Sequence, residues 1–352
     1  MPKSHLPPYF ILDGFILCII TGLLYFLWLG SYPLFTPDEG RYAEIAREML
    51  LNHQYITPRV DGIPFLDKPI LHYWLQCLSQ TILGSNEWGI RFFPTLLGIT
   101  GIVSVYGYAR FFYDRLTAWI AALLLSLTPL YFASAHYANL DLEVAVWITL
   151  SCLCLGAALQ AIRPSRTLML CAYFFAGLGF LQKGIIGIAF PALIGTLYLI
   201  SQYRFRTFCQ LHLGKGIALL LVMILPWYYF AERATPGFLH YFFITQQFAR
   251  LFSTTQFNNP TPIWFYLPII LLGFYPWSLV LPNTIYANCK MADAKQRFLW
   301  IWASVILLVF SIPSSKIVTY ILPIFPPLAL LTSHYLAGAL RKNQRSLGLF
   351  VS

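Results

Sequence analysis

Asp38, Glu39 and Arg41 stand together in Thr36-Pro37-Asp38-Glu39-Gly40-Arg41-Tyr42-Ala43-Glu44-Ile45-Ala46-Arg47-Glu48-Met49, directly after the first long apolar run. The chain is 58% hydrophobic and only 10% charged, so this stretch concentrates a scarce resource. A charge at mid-bilayer costs about 2.5–3.5 kcal/mol on insertion scales, so charges at a membrane edge are seldom decorative. Carboxylates there suit a reaction in which a base takes a proton or a negative group steadies an electron-poor centre. Asp38 and Glu39 are the first candidate catalytic acids. The bland alternative is that both complement a helix N-terminus, which accounts for Glu39 better than for Asp38.

Further along, other segments carry residues of matching chemistry. Phe65-Leu66-Asp67-Lys68-Pro69 offers Lys68 as a point-charge phosphate ligand, or as an interfacial lysine reaching lipid head groups. Asp141 reads as an N-cap and as a third candidate acid, and Glu143 needs a partner. Lys183 and Lys316 sit at tight turns, and Arg250 suits a bidentate phosphate clamp. Arg41 adds a fifth candidate anion ligand, while Tyr42, Asp67 and Tyr320 are candidate substrate contacts. No metal site is expected; Asp67 with His240 is the weak candidate, since a lone histidine is more often structural.

These residues must be held by a membrane scaffold. Mean hydropathy is +0.66, and continuous apolar runs near spanning length recur along the chain. The expectation is an all-α polytopic protein with spans near 11–30, 89–109, 116–136, 142–161, 167–182, 184–202, 215–230, 263–282, 298–312 and 318–338. Continuous rather than alternating runs argue against a β-barrel. One integral membrane domain is expected over 1–345, with a short tail at 346–352. The first run is long for a signal peptide and lacks a convincing cleavage site, so it reads as an uncleaved helix. Seven cysteines lie mostly within apolar runs, and no disulfide or zinc spacing is seen.

Charge gives the orientation. With a cytoplasmic N-terminus, one side collects fourteen Lys and Arg, Lys3 among them, against Asp114 and Asp293. The other collects nine against ten acids, while Asp13 lies in the first span. This satisfies the positive-inside rule and explains the net charge of +10 without nucleic acid. Every candidate residue above then falls on the outer face, in loops near 31–88 and 231–262 and in short turns. Thr36-Pro37-Asp38-Glu39 has a capping-box pattern, and Tyr42, Ile45, Ala46 and Met49 predict an amphipathic helix at the membrane surface. A second short apolar helix is expected from Leu71.

The ordered set of motifs resembles the lipid-A aminoarabinose transferase and protein O-mannosyltransferase-like membrane glycosyltransferases of GT-C fold. It comprises Pro37 through Met49, Phe65-Leu66-Asp67-Lys68-Pro69, Asn86-Glu87-Trp88 with Arg91, Leu140-Asp141, Lys183-Gly184, Pro226-Trp227-Tyr228, and His240-Tyr241-Phe242-Phe243 with Arg250. Pro262 through Pro268 and Ser315-Lys316 with Thr319 through Pro323 complete it. The resemblance implies an inner-membrane enzyme with a periplasmic site. It would invert the anomeric centre of a sugar carried on undecaprenyl phosphate and pass that sugar to a lipid or protein. It matches Asp38 to the reacting acid, and Lys68 and Arg250 to the phosphate ligands. Two departures accompany it. The best-known members are longer, so the chain is a compact member or lacks a C-terminal region. Gln246-Gln247 stands where the aminoarabinose transferases carry an acid and a histidine. The rival readings are a flippase and a non-catalytic binder of polyprenyl-linked lipids.

Overall fold

The computed structural model describes residues 8–249, 261–291 and 293–351, with side chains for 8–246, 261–287 and 293–342. The helices are α1 (Phe10–Phe26), α2 (Asp38–Asn52), α3 (Leu71–Leu83), α4 (Glu87–Phe112), α5 (Arg115–Ser126), α6 (Pro129–Ala135), α7 (Leu140–Leu159), α8 (Arg166–Lys183), α9 (Ile186–Ser201) and α10 (Leu213–Ala234). A single turn, α11 (Phe238–His240), runs into a π-helix over Tyr241–Ala249. Then follow α12 (Tyr266–Gly273), α13 (Leu281–Met291), α14 (Ala294–Ser311), a 3₁₀ segment (Val318–Ile324) and α15 (Phe325–Val351). Sheet structure among the described residues is one two-residue hairpin between α2 and α3, pairing Arg59 with Pro64 and Val60 with Ile63. Glu48 on α2 accepts from the Asp61 and Gly62 N–H groups at its turn.

Each expected span overlaps a helix, and the all-α class holds. Five of the described helices are individually long and apolar enough to cross a membrane, seven crossings if each bent pair is one span. Two expected straight spans are broken. The segment near 116–136 bends by 65° between α5 and α6, where Pro129 starts a new helix after Thr128. The segment near 263–282 turns by 109° after α12, with Pro276 opening the next short helix. Proline lacks an N–H to continue a helix, so both breaks are written in the sequence.

Helix α7 lies at the centre of the bundle and is buried along most of its length. Lipid tails are as apolar as leucine, so close packing and polar contacts hold such helices together more than hydrophobicity does. Helices α8 and α9 show this: a Cβ at Gly187 would overlap the backbone of Gly179. Gly184, at φ 87°, ends α8 in a conformation that L side chains resist, placing Gln182 and Lys183 on the last turn. A second apolar cluster, including Tyr42, Ile45, Tyr73, Trp227, Phe238 and Phe242, binds α2 and α3 to α10 and α11. It forms the floor beneath the candidate site.

Candidate active site

Glu39 and Arg91 are both fully buried. Arg91 donates from Nε and Nη2 to the two Glu39 oxygens at 2.9 and 2.7 Å, and to the carbonyls of Leu29, Tyr32 and Pro33. Its guanidinium lies over the Tyr32 ring at 3.8 Å. Glu39 also accepts from the Phe35 and Ala138 N–H groups, both at 2.8 Å. The expected capping box does not form: Pro37 precedes α2 without a side-chain cap, and Glu39 reaches Phe35 rather than Thr36. Every lone-pair direction of this carboxylate is occupied, so Glu39 positions the loop around the neighbouring Asp38. Arg91 completes that brace. Its signal was an arginine close to the start of an apolar helix, a costly placement that demands an acid.

Asp38 is different. It is 38% exposed, accepts from the Tyr137 hydroxyl at 3.2 Å and has Arg41 at 3.8 Å. Arg41 faces the Phe65 ring. Burial and the Asp38 charge push the Tyr137 phenol up to about 12, so it remains a hydrogen-bond donor at neutral pH. Asp141 lies in the first turn of α7, which Asn139 rather than Asp141 caps. Its carboxylate accepts from Lys183 at the end of α8 and from Thr319 in the 3₁₀ segment. The Lys183 ammonium sits 4.0 Å from the centre of the Tyr320 ring. Tyr42 is buried between these groups. Burial first, then the Asp141 and Asp38 charges, push its phenol well above the ordinary tyrosine value. Asp38, Arg41, Tyr42, Asp141, Lys183 and Tyr320 therefore share one electrostatic neighbourhood, drawn from four segments.

The remaining candidates are placed less uniformly. Asp67 accepts from the Tyr241 hydroxyl at 2.8 Å and from Gln246 Nε2 at 3.1 Å, and Tyr241 and Gln246 bond each other at 2.7 Å. Gln246 thus engages the acid that was the weak metal candidate, while His240 is exposed. Among the described residues no group of three His, Cys, Asp or Glu is placed to hold a metal. Lys68, next to Asp67, is half-buried. Lys316 is 3% exposed and donates to the Thr261 carbonyl, with burial pushing its ammonium below the ordinary lysine value. Its described contact is thus structural. Arg250 and Lys3 lie outside the described residues.

Glu143, one of the acids that lacked a partner in sequence, finds two. His72 on α3 donates to it at 2.9 Å, and Gln182 on α8 also donates to it. Sequence reasoning missed His72 and Gln182 altogether, because neither has a local signature.

The bundle has the GT-C fold, shared with membrane proteins solved before. Residues 67–230 match the family described as dolichyl-phosphate-mannose-protein mannosyltransferase. The chain is 33% identical over 336 residues to the undecaprenyl phosphate-alpha-4-amino-4-deoxy-L-arabinose arabinosyl transferase of Yersinia enterocolitica, covering 93% of this chain and 60% of the relative. It is 34% identical over 335 residues to the enzyme of the same description from Pseudomonas aeruginosa strain UCBPP-PA14, again covering 93% and 60%. Among solved structures, ArnT from Cupriavidus metallidurans bound to undecaprenyl phosphate superposes with a TM-score of 0.86 at 28% identity, over 94% of this chain and 61% of that one. The archaeal oligosaccharyltransferase AglB from Archaeoglobus fulgidus, at 14% identity and a TM-score of 0.59, shares the fold alone. The chain is thus similar to the aminoarabinose transferases over nearly its whole length, and its five to seven described crossings are long and apolar enough for a multi-pass membrane protein. It spans about 60% of the length of the curated relatives it matches.

Proposed function

We propose that this chain carries the catalytic membrane unit of a transferase that moves 4-amino-4-deoxy-L-arabinose from undecaprenyl phosphate to a lipid acceptor, lipid A. The site would open to the periplasm, with the N- and C-termini cytoplasmic. The reading is supported above all by the half-exposed Asp38 beside the Asp141–Lys183 pair, at the end of a bundle closely similar to one solved with undecaprenyl phosphate. The charge asymmetry of the loops supports the orientation.

The chemistry is a single displacement. An acceptor hydroxyl oxygen attacks the anomeric carbon, the bond from that carbon to the phosphate oxygen breaks, and undecaprenyl phosphate leaves with the bonding pair. Asp38 receives the hydroxyl proton; with a phosphate acceptor it would act by charge alone. Lys68 and Lys183, with Arg41 and Arg250, would hold the negative charge that develops on the leaving phosphate. Tyr42 and Tyr320 would border the sugar, and Asp67 would orient it or its amine. An apolar groove of about 1010 Å³ lies beside Phe180, Leu221, Leu225, Tyr228, Leu239 and Phe243 and suits the polyprenyl tail.

The test is transfer from undecaprenyl phosphate-linked aminoarabinose to lipid A in membranes, comparing wild type with Asp38→Asn. Loss of about 10²- to 10⁴-fold is expected for a general base, with undecaprenyl phosphate still bound. Unchanged transfer by the variant would remove Asp38 from the chemistry. Binding without transfer by wild type would favour the flippase or binder reading.

A further inference from the structure

Behind the reacting acids lies a second polar cluster. His72, Glu143 and Gln182 are each fully buried, and His72 Nδ1 and Gln182 Nε2 both donate to Glu143 Oε2. The other polar atoms of the trio, His72 Nε2, Glu143 Oε1 and Gln182 Oε1, have no hydrogen-bond partner among the described residues. The hydroxyl of the adjacent, fully buried Tyr73 has none either. An unsatisfied buried polar atom is costly, so an apolar trio of the same shape would hold three helices together at less expense. What a polar trio supplies is register: each hydrogen bond is directional and fixes one helix against another.

The register it fixes is that of the site. Glu143 lies two residues after Asp141 on α7, and Gln182 immediately precedes Lys183 on α8. Consecutive residues of α8 thus grip two acids of the first turn of α7. His72 lies four residues after Lys68, and its ring meets Tyr42 edge-on at 5.2 Å. Each member of the trio is therefore joined to a different candidate phosphate ligand or acid through at most four residues of chain. We propose that His72, Glu143 and Gln182 form a positioning unit that sets Lys68 relative to the Asp141–Lys183 pair, and so sets the affinity for the phosphate of the lipid carrier. The proposal deepens the transferase reading, on which it rests for the identity of the phosphate.

The experiment measures undecaprenyl phosphate binding by the purified full chain in nanodiscs, alongside thermal stability and sugar transfer. His72→Leu and Glu143→Gln are expected to weaken binding about tenfold or more, the scale of one displaced charged hydrogen bond. Should either fail to fold, Gln182→Met carries the same expectation. Ser79→Ala serves as control: it removes a buried α3 hydroxyl that bonds the Gly89 carbonyl, and should lower stability without altering binding per folded molecule. Binding by the His72, Glu143 and Gln182 variants that equals wild type, or falls only as far as in Ser79→Ala, overturns the proposal. Wild-type protein that binds the carrier but transfers no sugar would break the transferase reading and leave this comparison readable. Failure of wild type to bind would overturn both.

Discussion

Glu39 and Asp38 are neighbours in sequence with opposite surroundings. Glu39 is sealed: one arginine and two backbone N–H groups saturate it, and it has no exposure. Asp38 is open, with one phenol donor and a loose arginine. The Asp141–Lys183 pair lies between these extremes, largely buried yet beside the opening. A saturated carboxylate has nothing left to offer a substrate, and a half-satisfied one has. The contrast separates the brace of the site from its open edge, which the shared charge of two adjacent acids does not.

The comparison breaks first at Arg91. Arg91→Ala strands Glu39 as a buried, incompletely paired charge and should cost about 3–5 kcal/mol of stability. A melting temperature equal to wild type would show that the brace is not one. Next comes Lys183→Met, which leaves Asp141 with Thr319. If the pair borders the leaving phosphate, transfer should fall about 10²- to 10³-fold, the scale of losing one preorganised electrostatic contact. A loss in stability with turnover per folded molecule intact would move Lys183 into the brace.

Tyr137→Phe sharpens the contrast with the smallest effect. It removes a neutral donor from Asp38, and kcat should fall only about two- to tenfold. The pH dependence has a definite sign. Burial and the Asp38 charge push the folded phenol up to about 12, above its ordinary value near 10, so its contribution to stability is complete below about pH 10 and is lost as pH rises through 12. Stability curves of wild type and Tyr137→Phe should converge or cross only in that alkaline window. Divergence between pH 6 and 9 would contradict the assignment.

The span positions were legible because a run of apolar residues is a local property. The π-helix was not, and the 109° turn after α12 is marked by Pro276 within a run that reads as one unbroken span. Asp38, Asp141 and Lys183 could be singled out because charge near a membrane is conspicuous wherever it folds. Their partners could not. Glu39 finds Arg91 across 52 residues and Glu143 finds His72 across 71, and a short-range capping pattern concealed the first of these. Lys316, which stands beside two hydroxyls in the sequence, is turned by the fold to the Thr261 carbonyl, a contact with no local signature.

The sequence distance spanned by each contact also imposes an order on assembly. A chain made from its N-terminus folds its early parts first. The Glu39–Arg91 pair needs only the start of α4, so it can close while most of the chain is still to be made, and Ala138 joins it later. The Asp141–Lys183 contact must wait for the end of α8, and Thr319 joins it only when the last described helices arrive. During biogenesis the pairing that braces the loop can thus form before the Asp141–Lys183–Thr319 contacts exist. An immature protein in the membrane would hold its acids in a stable frame without a finished centre to use them.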